Sequence, residues 1–351
     1  MTHFSSVEII GSGLIGTSIG LALAQKGIQV SMKDLNPRAQ AMANDLVGGS
    51  ELSDPELIVI AVPVSAIPTV LKGLESRDLK SVIIDVVSIK AKVKVEVSSF
   101  PSLVERFVPS HPMAGREVGG AESARSDLFE GRAWIIDTSS ASARSIKIGR
   151  ELITSLGAVA VEMDSIEHDQ AVALVSHLPQ LLSSLLASQL QGKPEAWLDL
   201  AGGGLRDTTR IAGSEPSLWK EIISHNSEAI VPLLKKVSTD LQSLITQISN
   251  EDVVEEFIAS GQKGRALIPG KHGGKARDYT YLPIVIQDKP GQLAAIFEEC
   301  ATAGVNVEDL SIEHSPGQET GLITLALNQL DAKKLSEHLL IKGWNVHSPR
   351  R

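Results

Sequence analysis

The chain has 351 residues, 42% of them hydrophobic and 21% charged, with 33 basic and 42 acidic side chains giving a formal charge of −9. That balance suits two or three globular domains and excludes disordered and fibrous classes. The acidic excess argues against a nucleic-acid partner, which favours a basic face, and it means an anionic substrate needs a local cationic pocket.

The single cysteine, Cys300, excludes an intrachain disulfide, and no ligand spacing marks a zinc site. The expectation is no metal and a reducing cytoplasm. The longest clean apolar run, Leu57 to Val64, is far short of a bilayer span, so neither a signal peptide nor a membrane anchor is expected.

From the N-terminus, Val7–Ile10, Gln29–Met32, Leu57–Ala61, Val82–Val87, Ala133–Asp137 and Ala158–Met163 read as strands separated by helical stretches. The alternation predicts a parallel sheet covered by helices over residues 1–165. The first strand runs straight into Gly11-Ser-Gly-Leu-Ile-Gly16 and then the helix-like run Leu14–Ala24. Strand, glycine loop and helix in that order make a Rossmann dinucleotide-binding unit. Gly11 permits the tight turn, Gly13 lets backbone approach a pyrophosphate, and Gly16 lets helix and strand pack closely. Free amides at the helix start, at Leu14 and Ile15, then face the phosphates, and Val62 and Pro63 after the third strand complete the expected cofactor set. Asp34, eighteen residues past Gly16, ends the second strand, where a carboxylate accepts from both adenine-ribose hydroxyls and repels a 2′-phosphate. The reading is NAD over NADP, with Lys33 and Arg38 leaving NADP open.

Ser88 and Lys90, in Asp85-Val-Val-Ser-Ile-Lys90, follow a buried strand and fall at the carboxyl edge of the sheet, where ligands bind. His111-Pro-Met-Ala-Gly115 follows the run Arg106–Pro109, with Arg116 and Glu117 close behind. A histidine at a strand end can take a proton near neutral pH.

The pattern then changes. Apolar residues from Ala171 to Leu186 recur at three and four, an amphipathic helix. A second stripe from Leu218 to Ile248 predicts one helix of about thirty residues, roughly 45 Å long, which exceeds what a small helical domain needs and points to a second subunit. Both contain a proline, Pro179 and Pro232, which kinks a helix. His177 lies beside the first stripe, as a core histidine or a ligand. In Gly202-Gly-Gly-Leu-Arg-Asp-Thr-Thr-Arg210, Arg206 and Arg210 stand one turn apart. Two guanidiniums on one face suit a dicarboxylate, the alternative being an Arg206 tied to Asp207 or a helix end.

Glycine and basic residues from Gly261 to Gly274 read as a linker with its own loop structure. Its Lys263, Arg265, Lys271, Lys275 and Arg277 are a solvated run or an anion contact. The remainder gives strand, helix, strand, strand, helix, strand: Tyr281–Gln287, Gly291–Ala303, Val305–His314, Leu322–Asn328, Ala332–Ile341 and Trp344–Val346, the ferredoxin-like order.

With these residues in place the chain resembles the prephenate or arogenate dehydrogenases of tyrosine biosynthesis that carry a C-terminal ACT domain. The resemblance spans nearly the whole chain and rests on Gly11-x-Gly-Leu-Ile-Gly16, His111-Pro-Met-Ala-Gly115, Ser176-His-Leu-Pro179, Gly202-Gly-Gly-Leu-Arg-Asp-x-Thr-Arg210 and Asp288-Lys-Pro-Gly-Gln-Leu293. It implies an α/β fold with an N-terminal Rossmann parallel sheet (1–165), an all-α dimerisation and substrate domain (166–262), a linker (263–278) and a ferredoxin-like ACT regulatory domain (279–351). It implies NAD-dependent oxidative decarboxylation of prephenate, or oxidation of arogenate, in a homodimer. By motif position, His111 takes the ring-hydroxyl proton, Ser88 orients the ring hydroxyl or His111, and Arg210 pairs with a substrate carboxylate. Arg206, Glu117, His177 and Gln180 line the pocket. Gln180 departs from the family pattern, which often has histidine there. The ACT resemblance implies an aromatic amino-acid effector near Asp288, Gly291, Gln292, Leu293 and Asn306, or a dimerisation module without ligand. A β-hydroxyacid dehydrogenase shares the Rossmann unit but leaves the His111 motif unexplained, and an amino-acid sensor leaves the intact His111 and Arg210 unexplained.

Overall fold

The structure is a computed structural model that describes residues 4–77, 79–115, 118–268, 279–314 and 319–350. The chain divides into two compact units, Met1–Thr239 and Asp240–Arg351.

The first unit opens with β1 (Ser6–Ile10), α1 (Leu14–Ala24), β2 (Gln29–Lys33), α2 (Pro37–Val47), β3 (Leu57–Ile60) and α3 (Ile67–Glu75). It continues through β4 (Val82–Asp85), α4 (Ala91–Ser98), α5 (Pro101–Val104) and β5 (Phe107–Val108). These strands form a parallel sheet in the order β2-β1-β3-β4-β5. The unbroken apolar run of β3 follows from burial on both faces. Leu57 and Val59 join one core cluster, Ile58 and Ile60 the other, because successive side chains of a strand point to opposite sides. Each such side chain contributes roughly 1.5–3 kcal/mol on burial.

A three-stranded sheet follows, of β6 (Ser110–Pro112), β7 (Ala133–Ile136) and β8 (Val159–Glu162), with α6 (Ala143–Ser155) crossing between the last two. β7 and β8 are parallel, but β6 runs antiparallel to β7, so the arrangement is not purely parallel as the alternation predicts. Ser110 explains the local geometry. Its N–H donates to Asp85 Oδ1 at 3.1 Å, its hydroxyl donates to the Asp85 carbonyl at 2.6 Å, and Trp134 Nε1 donates to that hydroxyl at 2.9 Å. β6 is thereby stapled between β4 and β7.

The helical layer begins with α7 (Ser165–Val172), a π turn over Ala173–His177 and α8 (Leu178–Ser188). The amphipathic helix read from Ala171 to Leu186 thus starts earlier and carries a widened turn just before Pro179, which cannot donate to the carbonyl four residues back. Ser165–Ser188 is long and apolar enough to cross a bilayer, contrary to the expectation from the shorter run Leu57–Val64. Its buried His168, Asp169 and His177 are hydrogen-bonded to groups of β6, α4 and Asn226, which makes it a packing helix.

Next come α9 (Glu195–Leu198), α10 (Gly203–Thr209), a 3-10 turn over Arg210–Gly213, α11 (Pro216–His225) and α12 (Ser227–Gln247). The single helix of about thirty residues is therefore two helices. They part at Asn226, whose φ of −115° and ψ of 23° leave the helical region, and whose buried side chain is committed to other partners. The 21 residues of α12 extend roughly 32 Å at 1.5 Å each. α13 (Glu251–Ala266) contains Gly261 and Gly264, so the glycine-rich run read as linker from Gly261 begins as helix. Asn250 caps it by accepting from Asp252 N at 3.1 Å, and Lys263 and Arg265 in its last turn complement the helix dipole.

In the second unit, β9 (Thr280–Gln287), α14 (Gln292–Thr302), β10 (Asp309–His314), β11 (Thr320–Leu327), α15 (Gln329–Ile341) and β12 (Asn345–Val346) follow the order read from the sequence. The antiparallel sheet has the order β10-β11-β9-β12. Alternate residues Leu282, Ile284 and Ile286 pack with Ile296 of α14 and Leu335 and Leu339 of α15.

Candidate active site

The glycine loop sits where the strand order reverses, between the carboxyl ends of β2 and β3, the crevice where open α/β sheets bind ligands. Gly11 has φ +113° and donates its N–H to the Lys33 carbonyl at 2.7 Å. A Cβ there would fall on the Ala61 carbonyl and lie 3.2 Å from Val62 N. A Cβ on Gly16 would fall on the Gly11 carbonyl and lie 3.1 Å from Ala61 Cβ. Gly13, by contrast, faces open space and starts α1 without a side-chain cap, so the first-turn amides, with Leu14 and Ile15 half-buried, point to an anion's place. The Ser12 hydroxyl is buried with no hydrogen-bond partner among the described residues. Asp34 accepts from Ser12 N at 2.7 Å and from Asn36 N at 2.8 Å, which fixes its carboxylate at the end of β2 beside the loop. Val62 is half-buried and Pro63 exposed after β3. The cradle fits the pyrophosphate and adenine ribose of a dinucleotide.

His111 lies on β6, half-buried, with Nδ1 2.9 Å from His168 Nε2. The two rings are nearly perpendicular, at 79°. His168 Nδ1 is 2.7 Å from Asp169 Oδ1. Asp169 also accepts from Lys90 N at 2.8 Å and Ala91 N at 2.9 Å at the start of α4, while its carbonyl accepts from Asn226 Nδ2 at 2.7 Å. Asn226 Nδ2 is 3.1 Å from His177 Nδ1, and Trp219 meets the His177 ring edge-on at 6.0 Å. Lys90, fully buried, pairs with Asp85, whose carboxylate also accepts from Val87 N at 3.1 Å. Ser88 lies half-buried in the same turn between β4 and α4.

Burial governs the electrostatics. It pushes the His111 pKa well below the usual histidine value, with His168, Lys90 and His177 adding repulsion. Burial likewise lowers His177 to about 4, opposed by Asp169. Both imidazoles are neutral at pH 7. Burial raises Asp85 and lowers Lys90, each opposed by the other.

Arg206, in α10, and Arg210, first residue of the 3-10 turn, are exposed. Gly202, Gly203 and Gly204 before them face open space. The buried Gln180 donates from Nε2 to the Ile211 carbonyl at 3.0 Å and so anchors the turn that carries Arg210 to α8, one turn from His177. Glu117 and Arg116 lie outside the described residues.

A sequence profile described as the nucleotide-binding domain of prephenate dehydrogenase matches residues 19–162, and one described as its dimerization domain matches 164–260. The cyclohexadienyl dehydrogenase of Zymomonas mobilis is 31% identical over 78% of this chain and 99% of its own length. The chain belongs to the prephenate dehydrogenase family. The probable prephenate dehydrogenase NovF of Streptomyces niveus is 29% identical over 97% of this chain and 99% of its own length. Among solved structures, the prephenate dehydrogenase of Aquifex aeolicus in complex with hydroxyphenyl propionate and NAD+ is 27% identical, covers 76% of this chain and 98% of its own, and superimposes with a TM-score of 0.65.

In this member of the prephenate dehydrogenase family, sequence reasoning missed His168, Asp169, Asn226 and Trp219. Glu167-His-Asp-Gln170 offered only a signal of polar residues on a stripe otherwise rich in alanine and leucine. Asn226 was hidden inside an apparently continuous helical stripe. In the second unit, Gly291 has φ +89° and precedes α14, and Gln292 opens that helix. Asp288 N donates to the Glu319 carbonyl at 2.8 Å. Leu293 is 41% exposed, and Asn306 donates to Glu308 Oε1 at 3.3 Å.

Proposed function

We propose that the chain is an NAD-dependent prephenate dehydrogenase that converts prephenate to 4-hydroxyphenylpyruvate and carbon dioxide. The observation that carries this is a neutral, half-buried imidazole, His111, near the carboxyl edge of the nucleotide-binding sheet, in a chain of this family. The residues fit the cofactor. Gly11, Gly13 and Gly16 shape the cradle, Leu14 and Ile15 supply amides, Asp34 holds the ribose hydroxyls, and Val62 and Pro63 flank the crevice. When bound, NAD supplies the two-electron acceptor for the C4–H bond pair.

His111 accepts the C4 hydroxyl proton as that bond breaks, so the O–H pair forms a C4 carbonyl. The bond pair released from C1 as carbon dioxide departs flows into the ring, and the oxygen recovers its proton as a phenol. Atoms and charge balance, and aromatisation drives the step. A positioned base contributes about 10²–10⁴-fold. Ser88 orients the hydroxyl and Arg210 pairs with a carboxylate, with Arg206 and His177 around them. Gln180 holds the Arg210 turn in place. Arogenate is the second reading, favoured by Gln180, which brings no cationic ring to the pocket.

The proposed domains are the Rossmann unit (1–165), the helical dimerisation and substrate domain (166–266, to the end of α13), a linker (267–278) and a ferredoxin-like ACT domain (279–351). The βαββαβ order and antiparallel sheet support the last, with an aromatic amino-acid effector held near Asp288, Gly291, Gln292, Leu293 and Asn306. Exposed Leu185, Trp197 and Leu200 support a homodimer, and the free Cys300 thiol a cytoplasmic setting. Steady-state NADH formation with prephenate and with arogenate, each with and without added tyrosine, tests the reading. The expected result is turnover of prephenate, lost on His111→Asn with NAD affinity unchanged. Turnover of neither substrate overturns it.

A further inference from the structure

We infer that Asp169 and His168 are positioning residues that fix His111 in the tautomer whose Nε2 is bare, an inference that rests on the reading of His111 as proton acceptor. The assignment follows from counting hydrogens along the chain. Asp169 accepts two backbone N–H groups at the start of α4, from Lys90 at 2.8 Å and Ala91 at 2.9 Å. An ionised carboxylate only accepts, so the 2.7 Å contact with His168 Nδ1 places a hydrogen on that nitrogen. A neutral His168 then has a bare Nε2. The 2.9 Å contact between that nitrogen and His111 Nδ1 needs one hydrogen, and only His111 Nδ1 can supply it. Its Nε2 is left with a lone pair.

In water a neutral imidazole exchanges between its two tautomers, so half-measures of orientation leave the wrong nitrogen protonated part of the time. Here a carboxylate held by two amides dictates the answer through an intervening ring, as a buried third group orients a base elsewhere. The charged and titratable groups around the relay are Lys90 and Asp85 from the β4 to α4 segment, and His177 from the π turn. Asp137 also acts on Lys90. When Nε2 takes the substrate proton, the Nδ1–H remains donated to His168, and the carboxylate beyond it stabilises the new cation. No proton or electron need leave the relay.

The direct test is ¹⁵N NMR of histidine-labelled full-length protein at neutral pH, which reads each ring nitrogen as protonated or bare. His111 should show Nδ1–H and bare Nε2. In Asp169→Asn the amide can donate to His168 Nδ1, and both tautomers should invert. Alongside it, kcat should fall by about 10²-fold or more in Asp169→Asn with KM and NAD affinity changed less than about threefold. His168→Gln, whose carbonyl oxygen can still accept from His111, should retain at least tenfold more activity than His168→Leu. A bare Nδ1 in the wild-type protein overturns the relay, as does an Asp169→Asn enzyme within about threefold of wild-type kcat. If neither prephenate nor arogenate is turned over, the proposed function fails while the NMR result still decides the relay.

Discussion

A Cβ on Gly16 would fall on the carbonyl oxygen of Gly11, so the start of α1 and the turn out of β1 touch backbone to backbone. Gly16→Ala must push that turn away from the crevice. NAD affinity, measured by calorimetric titration, should drop at least about tenfold, since one displaced charge-assisted bond to phosphate is worth about 1.5–3 kcal/mol. An unchanged affinity would show that the phosphates bind elsewhere.

Asp34 is oriented by Ser12 N and Asn36 N, with Arg38 exposed one turn on. Asp34→Ser removes the acceptors for the ribose hydroxyls and the repulsion of a 2′-phosphate. The ratio of kcat/KM for NAD over NADP should fall by about 10²-fold. A ratio left at the wild-type value would remove Asp34 from the cofactor site.

Asn226→Ala leaves His177 Nδ1 without its buried partner and takes the side-chain donor from the Asp169 carbonyl, which keeps the Ala173 N–H. One orphaned buried group costs about 1–3 kcal/mol, so urea denaturation should show a loss of about that size. A midpoint within experimental scatter of wild type would mean that the break between α11 and α12 has another cause.

Folded His177 has a pKa of about 4 against an ordinary 6.5, and His111 shifts the same way. The unfolded chain therefore binds more protons in that range. Stability from these two neutral rings is fully present above pH 6.5 and is lost as pH falls through the folded pKa values. Denaturation midpoints of wild type should decline from pH 7 toward pH 4, and His177→Gln should flatten part of the slope. The acid limb of kcat/KM should also lie below pH 6.5, because the base works only when neutral.

Much of the first unit could be read from the sequence because its signals are local. A strand that is apolar at every position, as in Leu57–Ile60, announces burial on both faces, and Gly11, Gly13 and Gly16 mark a turn whose backbone leaves no room. The antiparallel turn of β6 was not legible, since it depends on Ser110 meeting Asp85 and Trp134, far apart in the chain. The long stripe after Leu218 misled for a similar reason. Periodicity reports which face is apolar, and it is blind to Asn226 leaving the helix to satisfy Asp169 and His177. His111 could be singled out by its motif, whereas its partners His168 and Asp169 gain meaning only when α7 is laid against α4 and β6.

Asp169 holds three partners at once: the start of α4 and the ring of its neighbour His168 through its carboxylate, and Asn226 through its backbone carbonyl. Every residue carries the carbonyl, but few side chains satisfy the two contacts of the carboxylate, because asparagine keeps the outline without the charge, and glutamate keeps the charge one methylene too far out. This corner of the molecule is consequently brittle toward substitution. Drift at position 169 needs simultaneous compensation in segments that are far apart in the gene, so libraries that randomise it alone should return almost nothing but aspartate.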